Sequence, residues 1–146
     1  MRYMLSFAIA CAVLGSTAVA RAHAEPPFVV IVNASNPVSA LERADASRLF
    51  LRRTLAWKHG GKVMPIDLGE GSATRKAFSQ AVLGKDVATV KGYWQQLIFT
   101  GKSVPPIETP SEAEVVAYVA ANPAAIGYVS PATPVSARVK VVRITD

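Results

Sequence analysis

An α/β domain is the expectation from this sequence, and three observations carry it. Short β-branched runs ("FVVIVN", "VMPID", "AIGYVS" and "ARVKVVRI") alternate with segments whose apolar residues recur at helical spacing. Glycine, proline and asparagine fall at the joints between them. No repeat or low-complexity block interrupts the order. Such interleaving favours a sheet sandwiched between helical layers over a barrel of antiparallel strands.

The first 24 residues stand apart from that pattern. Arg2 supplies a positive start, "MLSFAIACAVLGSTAVA" an apolar run, and Ala22 and Ala24 the small residues of an A-x-A cleavage site. Residues 1–24 are therefore read as a secretory signal peptide cut after Ala24, leaving residues 25–146 as one exported, periplasmic domain that is not membrane-embedded. Cys11, the only cysteine, leaves with the signal, so disulfide-rich secreted scaffolds are excluded and an apolar core must hold the domain. Fourteen basic and ten acidic residues remain, a net charge of +4. The basic residues are scattered, which disfavours nucleic acid as a partner.

Along the mature chain, Phe28 to Asn33 is a buried strand, and "SNPVSAL" a loop in which Pro37 discourages helix just before it. Ala46, Leu49 and Phe50 place a helix over Glu42 to Leu51. "HGGK" is a turn, and Val63 to Asp67 a second strand. Ala73, Ala77, Phe78, Ala81 and Val82 share one helical face, which Gly84 ends. Asp86 starts the next helix, whose Val87, Val90, Tyr93, Trp94, Leu97 and Ile98 keep the period through Phe99. "TGKSVPPIETP" reads as a loop. Ser111 and Glu114 have capping-box spacing before "VVAYVAAN", and two strands close the chain.

No catalytic, cofactor or metal constellation emerges. His59 is the one histidine left after cleavage and sits in a Gly-flanked turn, whereas a metal site needs several ligands. There is no G-x-S-x-G elbow. "GKS" (Gly101 to Ser103) lacks the upstream glycine of a phosphate-binding P-loop, where Gln96 stands instead. A non-enzyme is expected.

The chemistry concentrates in "GEGSATRKAF" (Gly69 to Phe78), where a helix begins. Amides at a helix start lack intrahelical acceptors, and the macrodipole adds partial positive charge. Gly71 allows close approach, the Ala73 amide and the Ser72 and Thr74 hydroxyls can donate, and Arg75 brings a cation. Such a start can hold an oxyanion. Equally, Ser72 can simply cap its own helix.

The same stretch resembles the D-G-S-G-T segment of PstS-like phosphate-binding proteins, the type 2 periplasmic binding proteins that feed bacterial ABC transporters. "ASRLFLRRTLAW" (Ala46 to Trp57) is similar to that family's I-F-x-G-K-I-x-x-W segment, and "NPAAIGYVS" (Asn122 to Ser130) to its P-G-A-I-G-Y-V segment. Asn33 to Val38 and Trp94 to Gly101 resemble the N-x-S-N-P-V and W-x-x-x-I-F-T-G segments of short, single-lobe relatives. The resemblance implies one type 2 lobe, a mixed sheet flanked by helices, that binds phosphate or a similar oxyanion weakly through Ser72, the Ala73 amide and Thr74, to which the helix-start reading adds Gly71 and Arg75 as the replacement cation. A membrane transporter or an envelope protein is the implied partner. Two departures bear on affinity: Leu68 stands where the family carries an arginine, and the second, clamping lobe is missing. An interaction module that kept the fold and lost the ligand is the rival reading.

Overall fold

The computed structural model describes residues 26–146, so the signal-peptide reading of residues 1–24 lies outside the described residues. The order of elements is β1 (Val29–Asn33), β2 (Ala40–Glu42), α1 (Arg43–Phe50), β3 (Met64–Leu68), α2 (Ala73–Phe78), a π-helical turn (Ser79–Leu83), α3 (Val87–Phe99), β4 (Ile107–Thr109), α4 (Glu112–Ala121), β5 (Ala125–Val129) and β6 (Val139–Thr145). The six strands form one mixed sheet in the order β2-β6-β1-β5-β3-β4. β1 runs antiparallel to both its neighbours, β5 and β6, while β2 is parallel to β6, and β3 is parallel to β4 and β5. The expected mixed sheet flanked by helices is what forms.

β5 is buried along its whole length, which is why "AIGYV" reads as a continuous apolar run rather than an alternating one. Its two faces serve two layers. Gly127 faces α4, and a Cβ there would meet Val115 Cγ1 at 2.7 Å and Ile66 Cγ2 at 2.9 Å, so only glycine lets the helix lie this close. Tyr128 faces the opposite layer, stacking on Phe78 of α2 at 3.9 Å between ring centroids and meeting the edge of Phe50 of α1.

Three local expectations need correction. The segment read as a loop after β1 contains β2, whose pairing partner β6 lies a hundred residues away. "TGKSVPPIETP" contains the short edge strand β4, likewise held only by tertiary pairing with β3. The helix after Gly71 widens into a π-turn from Ser79, where the Ser79 hydroxyl donates to the Lys85 carbonyl at 2.6 Å. Gly84 does end this segment, in the left-handed conformation at φ 65°.

Capping follows the sequence more closely. Asp86 accepts from the Thr89 amide at 2.7 Å, and Ser111 from the Glu114 amide at 3.1 Å. Only half of the capping box forms, because the Glu114 carboxylate takes the Thr109 hydroxyl. The N-x-S-N-P-V segment also has a structural task. Asn33 donates to the carbonyls of Val119 and Ala120 at 2.9 and 3.0 Å, closing the last turn of α4, and Asn36 accepts from the Val38 amide.

Both tryptophans are buried, Trp57 with its indole N–H donating to the Ala124 carbonyl at 3.3 Å. Trp94 anchors α3 beside Tyr93, whose hydroxyl donates to the Leu51 carbonyl. We expect Trp94→Ala to cost about 3 kcal/mol in urea denaturation. An unchanged midpoint would show that α3 is not seated through this ring.

Candidate functional site

Strands β4, β3 and β5 run parallel, so their carboxyl ends open on one edge of the sheet. In open α/β sheets, ligand crevices lie at such edges. Here the edge gathers the turn Gly69 to Ser72 after β3, the Ser111 cap after β4, and the loop Ser130 to Thr133 after β5. Two helices, α2 and α4, begin there with their positive ends inward.

The turn enters α2 as the sequence suggests. Ser72 is its N-cap, with extended backbone and a hydroxyl oxygen that accepts from the Arg75 amide at 3.1 Å. The Ser72 carbonyl takes the Lys76 amide. The amides of Ala73 and Thr74 are therefore the ones with no intrahelical acceptor. Gly71 is exposed, with no atom within 4 Å of a notional Cβ, so its neighbourhood is open to a ligand.

Two of the expected site residues are engaged by the protein itself. The Arg75 guanidinium is directed into the domain, only 4% of the residue being exposed. Its Nη1 donates to the Leu68 carbonyl at 2.6 Å and to Glu108 Oε2 at 2.9 Å, and its Nη2 lies 3.4 Å from Asp67 Oδ2. Asp67 in turn accepts from the Tyr128 hydroxyl and from the Leu68 amide. Burial pushes the Asp67 carboxyl up, against the pull of the Arg75 charge and the Tyr128 hydroxyl. Burial also works against the Arg75 charge, but Asp67 and Glu108 outweigh it and hold the guanidinium firmly protonated. The Tyr128 hydroxyl is pushed up by burial and by Asp67. Arg75, expected as the cation of the site, thus binds α2 to the ends of β3 and β4.

Thr74 is the second. Its hydroxyl donates to Glu112 Oε1 at 2.5 Å, and the Thr133 hydroxyl donates to the other oxygen of the same carboxylate. Burial disfavours the Glu112 charge, but the Thr133 and Thr74 hydroxyls and the Ser130 amide overcome that and hold the carboxyl below the usual carboxylate range. Sequence reasoning missed Glu112, Ser130 and Thr133. Their only signal is position, each standing just past a strand end.

Elsewhere His59 stacks on Trp57 in its exposed turn. Among the described residues no group of His, Cys, Asp and Glu could hold a metal ion, and no helix is long and apolar enough to cross a membrane.

No family model matches this chain, and no curated protein does. Solved structures do. The chain is similar to an ABC-type phosphate transport receptor from Vibrio cholerae, at 20% identity and a TM-score of 0.63 over 81% of this chain and 46% of that one. A substrate-binding protein of the phosphate ABC transporter kind from Clostridium perfringens, with phosphate bound, aligns at 22% identity and a TM-score of 0.64 over 81% and 44%. PstS from Borrelia burgdorferi aligns at 12% identity and a TM-score of 0.60 over 81% and 47%. The chain spans less than half the length of these structures. At these identities the likeness is one of fold, and the fold is that of a single PstS-like lobe.

Proposed function

We propose that this chain, built as one lobe of the phosphate-receptor type, is an exported solute-binding domain for phosphate or a similar oxyanion, held weakly. The observation that carries the reading is the helix start Gly71 to Thr74 at the carboxyl end of β3, where the Ala73 and Thr74 amides have no intrahelical acceptor, beside a second helix start. Gly71, Ser72, Ala73 and Thr74 make the contacts. Arg75 belongs to the site as the residue that fixes the helix in place. With Arg75 turned into the domain and no free cation on this turn, the ligand stays open to water, where each hydrogen bond is worth less. Export follows from cleavage after Ala24, the domain being residues 25–146, and a membrane transporter is the natural recipient. The chemistry proposed at the edge is binding.

The test is the melting temperature of the mature domain with added phosphate, since a ligand that binds only the folded state stabilises it. Wild type should gain melting temperature at millimolar phosphate. Thr74→Val should lose about 0.5–1.5 kcal/mol of that binding, besides the ligand-free stability that its bond to Glu112 supplies. Ser72→Ala should cost about 0.5–2 kcal/mol of folding stability, because its oxygen caps α2. A wild type whose melting is indifferent to millimolar phosphate would sink the reading.

One observation favours an interaction module instead. Phe99 is 93% exposed at the end of α3, beside the exposed Ile98, with Leu55 and Val104 exposed on the adjoining surface. A periplasmic envelope protein docking on this surface would account for it. Loss of a co-purifying partner on Phe99→Ser, with phosphate binding absent in wild type, would establish that reading.

A further inference from the structure

Glu112 opens α4, yet none of the hydroxyls and amides that hold its carboxylate belongs to α4. Thr74 of α2 donates to Oε1 at 2.5 Å, and Thr133 of the loop after β5 donates to Oε2. Two hydroxyl donors from two distant segments therefore converge on one charged pair of oxygens, the arrangement an oxyanion would also require.

We propose that Glu112 is an internal anion that occupies the Thr74 end of the oxyanion site, so that a ligand binds only by displacing it. This rests on the oxyanion reading of Gly71 to Thr74. A threonine hydroxyl has one proton to donate, and an ionised carboxylate can only accept. Thr74 therefore cannot serve Glu112 and a ligand at once. Two anions at one set of donors also repel each other. No cation on this turn offsets the clash, because Arg75 is committed to Asp67 and Glu108. The apparent affinity is then the intrinsic one reduced by the fraction of molecules in which Glu112 has swung away. Displacement also releases the start of α4 from α2 and from the Ser130 to Thr133 loop, which couples occupancy to this edge of the domain.

The experiment is calorimetric titration of phosphate, and separately sulfate, into wild type, Glu112→Gln and Glu112→Ala, with ionic strength held constant. Near-ultraviolet circular dichroism checks that each is folded, and the glutamine variant keeps the shape if alanine does not fold. A carboxylate closed about 90–99% of the time predicts that its removal tightens binding by about ten- to a hundredfold. Adding Thr74→Val to Glu112→Ala should take back about two- to tenfold of the gain, which a purely structural Glu112 would not produce. Wild-type binding exceeded by no folded Glu112 variant overturns the internal anion and leaves the oxyanion reading intact. Absence of binding in all of them at tens of millimolar ligand overturns the oxyanion reading, and the internal anion with it.

Discussion

Arg75→Met should destabilise the domain by about 3–5 kcal/mol, the usual cost of stripping one partner from a buried ion pair. The guanidinium is enclosed by Asp67, Glu108 and the Leu68 carbonyl. Methionine fills similar space but leaves the Asp67 carboxylate with only the Tyr128 hydroxyl and the Leu68 amide. Removing both charges, in Asp67→Leu with Arg75→Met, should recover part of the loss, because two apolar groups of matched volume need no solvation. Urea denaturation of the two single variants and the double variant measures this. The competing expectation is an exposed Arg75 that contacts the ligand. It predicts unchanged stability, and phosphate binding that weakens on substitution, most strongly at low salt. That outcome would show Arg75 to be a ligand.

Phe78→Ala should be as damaging, at about 3–5 kcal/mol. Phe78 is 1% exposed and lies at the centre of an aromatic cluster. Its ring stacks on Tyr128 at 3.9 Å and meets Phe50 at 4.7 Å and Phe28 at 5.4 Å edge-on. These rings belong to β5, α1 and the segment leading into β1, so one side chain joins three elements to α2. Truncation leaves a cavity under the helix that presents Gly71 to Thr74, and the packing energy of the stack is lost as well. Both folding stability and any phosphate-dependent gain in melting temperature should therefore fall together. A variant that melts like wild type would mean that α2 is held by the Arg75 ion pair alone.

The elements that the sequence made legible are those with local causes. The β1, β3, β5 and β6 runs, the helical faces of α1 and α4, and the caps at Ser72, Asp86 and Ser111 all follow from periodicity or from a side chain reaching its own backbone. The resemblance carried the lobe itself. Periodicity also gave the extent of α3, Val87–Phe99, although Ile98 and Phe99 at its end stay exposed among the described residues.

For the site, the sequence located the helix start at Gly71 to Thr74 and the hydroxyls upon it, because a cap and a strand-to-helix turn are local events. Strands β2 and β4 could not be seen, since three residues hold as a strand only by pairing with a neighbour distant in the chain. The direction of Arg75 and the presence of Glu112 were invisible for the same reason. Whether a guanidinium faces a ligand or a buried carboxylate depends on what the sheet brings beneath it, and here β3 and β4 bring Asp67 and Glu108. Thr74 and Thr133 both reach Glu112 only because parallel pairing sets three strand ends side by side. Residue type determined which groups could bind an anion; tertiary packing decided which of them already hold one of the protein's own.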